Sequence, residues 1–203
     1  MSTIEISKDY IVTGAEYSSL GSQMKWKQDG YWYKADMLGF ESLAEAVVSH
    51  LLKRSNIGEF AVYEPVTISY DGQQYRGCRS LEFKKENEEL ISLERLAKSY
   101  TSFGLAQMLE RITDVEERIL YTVELVENLT GLDDFGVYLT SLLELDTFFL
   151  NVGRHTGNIM LLYDTIQKEY RFAPVFDMAQ ALFSDTKNVC PPEKGMVECY
   201  HAV

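Results

Sequence analysis

What the sequence has little of narrows the choices first. Only four prolines occur in 203 residues and no low-complexity tract is present, which speaks against disordered, collagen-like and mucin-like classes. Three cysteines, Cys78, Cys190 and Cys199, form an odd set with no C-x-x-C pair. Neither a disulfide framework nor a zinc site is therefore expected, and the thiols read as reduced, as in a cytoplasm. The N-terminus lacks the basic start and apolar core of a signal peptide. No apolar run approaches the roughly 20 residues that cross a bilayer, so a soluble cytoplasmic chain is expected. Positive charge is also scarce, with 19 Lys plus Arg against 31 Asp plus Glu and a formal charge of −12. That field repels phosphate backbones and anionic lipid, so direct nucleic-acid and membrane partners are not expected.

What is there suffices for a sizeable core: 46% of residues are hydrophobic, and the length suits one large domain or two small lobes sharing a cleft. Residues 22–35 alternate around Asp29-Gly30, the pair that supplies positive φ in a tight hairpin turn. Tyr31, Trp32 and Tyr33 read as core and sheet face. From Glu41 to Lys53 the apolar positions recur at three and four residues, the period of an amphipathic helix. A second hairpin follows, with strand 60–70, turn Asp71-Gly72 and strand 73–83. Helical periods then run over 86–100, 105–129 and 133–151, with Gly104 and Gly131 as breaks and Asp133 or Asp134 as N-cap. A late hairpin spans Ile159 to Leu162, a polar turn at 164–168, and Tyr170 to Val175. The charged stretch 84–89 is the best boundary. The expected fold class is α+β: an antiparallel-sheet lobe with one helix over 1–83, a connector over 84–89, and a helical lobe over 90–203.

The most informative segment is Leu150-Asn-Val-Gly-Arg-His-Thr-Gly-Asn-Ile159, followed by Phe172-Ala-Pro-Val-Phe-Asp177. It resembles the HipA-like protein kinase family, with its CtkA-type relatives, whose catalytic loop reads N-x-D-R-H-x-x-N and whose next hairpin ends in P-x-[FY]-D. Asn151, Arg154, His155, Asn158, Pro174, Phe176 and Asp177 match. The resemblance extends through most of residues 20–186 and implies a two-lobed serine/threonine protein kinase using ATP and Mg2+. Gly21, Ser22, Gln23 and Lys25 resemble its phosphate-binding loop, Lys34 its nucleotide lysine, and Cys78 to Phe83, with Glu82 and Phe83 at the end, its hinge strand. Phosphoryl transfer needs positioned cations more than covalent chemistry. Lys34 would hold the α/β-phosphates, and a lysine at the end of a buried strand needs an acid to stay charged. Glu45 is the first choice and Glu41, one turn earlier, the alternative. Asp177 and Asn158 would supply hard oxygen ligands to magnesium. Arg154 and His155 fall in the catalytic loop.

Three departures from that pattern matter. Position 153 is Gly, where the family has the aspartate that accepts the substrate hydroxyl proton; losing such a group removes about two to four powers of ten in rate. Asp146, seven residues earlier, is expected in the preceding helix, facing away from the phosphates. Asp177-Met178-Ala179 replaces the usual D-N-G, leaving the metal ligand in place. Only 26 residues follow Asp177, so a truncated helical lobe with a loop-like tail is expected. These departures predict a weakly active scaffold or a pseudokinase holding nucleotide or a protein partner without turnover. The resemblance further implies a protein substrate and an antitoxin-like protein partner. Ser18, Ser19 and Ser22 beside the phosphate loop are candidates for inhibitory autophosphorylation. His50 reads as helix surface and His201 as tail.

Overall fold

In the computed structural model, residues 2–12 and 23–200 are described. The N-terminal part builds a five-stranded sheet from β1 (Thr3–Ile6), β2 (Lys25–Gln28), β3 (Tyr31–Ala35), β4 (Tyr63–Tyr70) and β5 (Gln73–Leu81), in the order β1-β4-β5-β3-β2. Four strands run antiparallel as expected; β1, which the sequence reading did not anticipate, adds a parallel edge against β4. Both hairpin turns have the positive φ that their Asp-Gly pairs allow: 52° and 76° at Asp29 and Gly30, 50° and 75° at Asp71 and Gly72. Trp26, Tyr33, Val66 and Ile68 form the core of one face. Because side chains alternate along a strand, Trp32 and Lys34 point the other way, with Ser80 and Cys78 beside them in register. At Gly77, opposite Ala35, a Cβ would strike the Lys34 carbonyl and stand 2.6 Å from Ile68 Cδ1, so only glycine allows this close approach.

Helix α1 (Glu41–Leu52) packs on β4 and β5. Its Ala44, Val48 and Leu52 enter the main core of the second lobe, which ties the two halves together. That lobe holds α2 (Leu93–Tyr100), α3 (Leu105–Leu109), α4 (Val115–Thr130), α5 (Phe135–Phe148) and a three-stranded antiparallel sheet, β6 (Glu88–Ser92), β7 (Met160–Asp164) and β8 (Glu169–Phe172), in the order β6-β7-β8.

Three expectations are corrected here. The helix over 86–100 is strand β6 followed by α2. Ser92 is the N-cap, its hydroxyl accepting from Arg95 N–H at 3.1 Å, and the extended residues before it pair with β7. The acidic run suits a helix by composition, but tertiary pairing decides it. The helix over 105–129 is interrupted, α4 starting afresh at Asp114, which accepts from Glu117 N–H at 2.9 Å. The tail is not a plain loop with free thiols. It carries α6 (Met196–Tyr200), and Cys190 and Cys199 form a disulfide around the Pro191-Pro192 turn, leaving Cys78 as the free, buried thiol. The cytoplasmic expectation rested on reduced cysteines and loses that support. Among the described residues no helix is long and apolar enough to cross a membrane.

Gly131 ends α4 in the left-handed conformation, φ 73°, its N–H bonded to Glu127 O. Asp134 precedes α5 without a side-chain cap.

Candidate active site

Lys34 Nζ lies between two carboxylates, 2.6 Å from Glu45 Oε1 on α1 and 2.7 Å from Asp177 Oδ1 after β8. Lys34 and Asp177 are 143 residues apart in sequence. Both side chains are about nine-tenths buried, and Glu45 more so. Burial alone would lower the Lys34 ammonium, but Asp177 and Glu45 outweigh it and hold its pKa well above the ordinary lysine value. Burial likewise pushes the Asp177 carboxyl up, yet Lys34 and then Lys25 win and hold it well below the usual carboxylate range. Glu45 is raised, chiefly by burial, with Lys34 opposing. Its second oxygen accepts the Met178 N–H at 2.9 Å, so one glutamate fixes both the lysine and the backbone beyond Asp177. Glu41 is excluded as the lysine's partner: it is spent on the N–H groups of Met37, Leu38 and Gly39 at 3.0, 2.6 and 2.7 Å.

Lys34 and Asp177 open onto a cleft of about 660 Å3, counting space continuous with solvent, lined also by Lys25, Trp32, Tyr63, Ser80, Glu82, Phe83, Leu90, Met160 and Phe176. The mostly apolar walls with a charged end suit a ligand that carries both a ring and a charge. Lys25 sits opposite Lys34 in register, and burial, then the Lys34 charge, lowers its pKa. The Gln23 amide is engaged elsewhere, its Nε2 donating to the Ala35 carbonyl at 3.2 Å, and Gln23 is not among the cleft-lining residues. Gly21 and Ser22 of the expected phosphate loop, with Ser18 and Ser19, lie outside the described residues. The Glu82 carboxylate is taken by Lys27 Nζ at 2.8 Å, Trp32 Nε1 at 3.0 Å and Lys84 N–H at 3.0 Å. Phe83 packs on Phe176, ring centroids 5.3 Å apart.

The loop after α5 is held by a residue to which the sequence reading gave no role there. Asp146 does lie in α5, but it points into the loop, gripping Arg154 at 2.8 and 3.0 Å and accepting from Asn151 Nδ2 at 2.6 Å. Burial works against the Arg154 charge and Asp146 restores it, keeping the guanidinium pKa high. Arg154 is thus a buried strut. His155 is exposed, its Nδ1 accepting from Gly157 N–H at 3.0 Å. Asn158 closes the loop, its Oδ1 accepting from His155 N–H at 2.8 Å and its Nδ2 donating to the Gly153 carbonyl at 2.7 Å. Beside Gly153 stands Gln180, which no motif singled out: a Cβ at position 153 would lie 3.2 Å from Gln180 Cβ and 3.3 Å from both Cγ and Cδ.

Backbone strain gathers at the same place. Leu150, Asp177, Leu182 and Phe183 have φ of 53°, 63°, 56° and 58°, each costing about 1–2 kcal/mol for a side-chain-bearing residue. Leu182 is braced by donating its N–H to Phe149 O at 2.9 Å. Such outliers persist where the surroundings over-determine them, which is common at functional sites.

As to a metal, no three His, Cys, Asp or Glu side chains gather at one point among the described residues. Asp177 Oδ2 has no hydrogen-bond partner among them, and Asn158 Oδ1 retains a lone pair after accepting from His155. A carboxylate and an amide oxygen are donors of the kind magnesium takes, the remaining ligands coming from phosphate and water; Asp177 lines the cleft, whereas Asn158 is not among its lining residues.

A sheet lobe whose lysine meets a helix glutamate and an aspartate from the helical lobe defines a protein-kinase-like, two-lobed fold. No family model and no curated protein matches the chain. Among solved structures it is similar to the crystal structure of the Helicobacter pylori proinflammatory kinase CtkA, with a TM-score of 0.60 and 17% identity, covering 83% of this chain. The chain spans 58% of the length of that structure. At this identity the likeness shows the fold alone.

Proposed function

We propose that the chain is a HipA/CtkA-like serine/threonine protein-kinase scaffold that binds Mg-ATP between its lobes and transfers the γ-phosphate to protein poorly or not at all. The observation that carries this reading is the Lys34 ammonium bracketed by Glu45 and Asp177 at 2.6 and 2.7 Å. In this reading the apolar wall of Phe83, Leu90, Met160 and Phe176 takes the base, and Lys25 and Lys34 face the phosphates. Glu45 holds Lys34 in place, so the ammonium reaches the ligand without reorganising. Asp177 and Asn158 would hold Mg2+, which supplies charge neutralisation on the phosphates when bound. Arg154 and Asp146 position the loop without touching substrate.

Gly153 leaves the substrate hydroxyl without a base, which is the reason for slow transfer. A second reading, nucleotide or protein binding without turnover, is favoured by Gln180, which fills the space beside Gly153. A protein substrate and an antitoxin-like partner belong to the proposal through the same resemblance.

Thermal unfolding with and without Mg-ATP tests the binding step. A rise in Tm that Lys34→Met and Asp177→Asn abolish is expected; no rise for the parent protein overturns nucleotide binding. Radiolabelled transfer then separates the two readings.

A further inference from the structure

Helix α1 is apolar on both its sides, with Ala44, Val48 and Leu52 in the core and a second apolar stripe facing out. Its acids Glu41 and Glu45 and its Ser42 and Ser49 are buried, whereas Leu43, Val47 and Leu51 repeat at every fourth position on the exposed side, Leu43 and Leu51 keeping 51% and 48% of their surface. Phe40 extends this stripe at the N-terminal end, with Arg76 lying 5.2 Å from its ring. His50, Lys53 and Arg54 are exposed at the other end. Lys53 and Arg54 pair with no carboxylate among the described residues. In a chain of formal charge −12, this is an apolar ridge with a cationic rim, on a helix whose own two acids are buried.

A complementary surface lies on the other lobe. On α4, Glu116, Leu120 and Glu124 share the same four-residue spacing and are exposed, flanked by exposed Val115, Glu117 and Ile119. Val115 and Leu120 retain 66% and 60% of their surface. None of these three glutamates has an ion-pair partner among the described residues. Two stripes of equal spacing can interlock as ridges into grooves, and their charges are opposite in sign.

We propose that the outer face of α1 docks the α4 face of a second copy of this chain. The two surfaces are different, so the contact is head-to-tail and does not close on itself as a two-fold dimer does. One helix pair buries less than a standard interface, which makes the association weak and concentration-dependent, and its charged rim makes it sensitive to salt.

Sedimentation velocity on the intact chain, from low micromolar to near-millimolar concentration, tests this. The weight-average mass should rise from that of one chain past that of a dimer, and added salt should reverse the rise. Leu51→Glu on α1 and Leu120→Lys on α4, both at exposed positions, should each leave the chain monomeric. An equimolar mixture of the two variants should form a heterodimer and stop there, because one retains an intact α4 face and the other an intact α1 face. A parent chain that stays monomeric overturns the proposal. So does self-association that neither variant weakens, or a mixture that remains monomeric, which would leave a different protein as the occupant of α1.

Discussion

Restoring aspartate at position 153 is the sharpest perturbation of the candidate active site, and the structure gives it a twist. The contacts of a Cβ at Gly153 with Gln180, at 3.2 Å to Cβ and 3.3 Å to Cγ and Cδ, are tighter than ordinary van der Waals packing. The nearest atom is Gln180 Cβ, so rotating the far end of the glutamine does not relieve the crowding, and the aspartate carboxyl must compete for the same space. Overpacking of this kind costs about 1–3 kcal/mol, and a displaced carboxylate gives up much of what a positioned base contributes, about two to four powers of ten in rate. Gly153→Asp alone is therefore expected to lower Tm and to recover little transfer, whereas Gly153→Asp with Gln180→Ala, which removes the Cγ and Cδ contacts, frees room for the carboxyl and leaves only the Cβ contact, should regain part of the lost Tm and transfer at least about tenfold faster than the single variant. The assay is radiolabelled phosphate incorporation from γ-labelled ATP into the chain and into a generic protein acceptor, with Tm read in parallel. Equal rates for the single and double variants refute the steric coupling. Equal gain from Gln180→Ala alone refutes the missing base as the limit.

Other parts of the molecule answer to simpler tests. Asp146→Ala strands the buried Arg154 charge and breaks the Asn151 bond, so a loss of about 3–5 kcal/mol in denaturant unfolding is expected; a loss under about 1 kcal/mol would put Arg154 in solvent instead. The Glu88 carboxyl, gripped by Arg171 at 2.8 Å through two bonds, has its pKa lowered to about 2. Its folded value lies below the unfolded one, so its contribution is present at neutral pH and is lost as pH falls from the ordinary glutamate range through about 2. Glu88→Gln should flatten that acid limb of the stability curve. Gly77→Ala should fail to fold or lose several degrees of Tm, since its Cβ meets backbone; normal stability would show that β3 and β5 can separate there. Alkylation of the denatured, unreduced chain should label Cys78 alone, and labelling of Cys190 or Cys199 would contradict the disulfide.

Much of the fold was legible because local chemistry decided it. The Asp29-Gly30 and Asp71-Gly72 turns, the α1 period and the glycine breaks at 104 and 131 depend on a few neighbouring residues, and they stand where expected. Lys34 and Glu45 were legible for another reason: the resemblance to the kinase family singled out Lys34, a lysine at the end of a buried strand needs an acid, and Glu45 meets it. What failed depended on distant partners. Strand β6 exists because β7 lies beside it, and nothing in Glu88 to Ser92 announces that. β1 likewise takes its conformation from β4. Gln180 is visible only once the segment after Asp177 folds back on the loop. Asp146 carried a weak signal, an acid near the end of α5, five residues before Asn151.

On the proposed reading, the segment after Asp177 favours binding over turnover. Asp177 already adopts a positive φ without a glycine after it, and Met178 is buried, its sulfur 3.2 Å from Arg154 Nη2 and 3.7 Å from Asn151 Nδ2. A polar side chain there would be drawn to solvent, whereas methionine fills an irregular gap with a soft contact. The chain beyond is fastened to the sheet lobe, Phe40 N–H donating to Ser184 O at 2.9 Å and Thr186 N–H to Leu38 O at 3.0 Å, just before the helix that carries Glu45. Glu45 in turn holds the Met178 backbone. The Lys34–Glu45–Asp177 cluster is therefore assembled by packing in the resting chain, and a ligand pays no cost to order it. The same fastening carries the chain on to Gln180 beside Gly153, so the segment that completes the charged cluster also fills the space next to position 153.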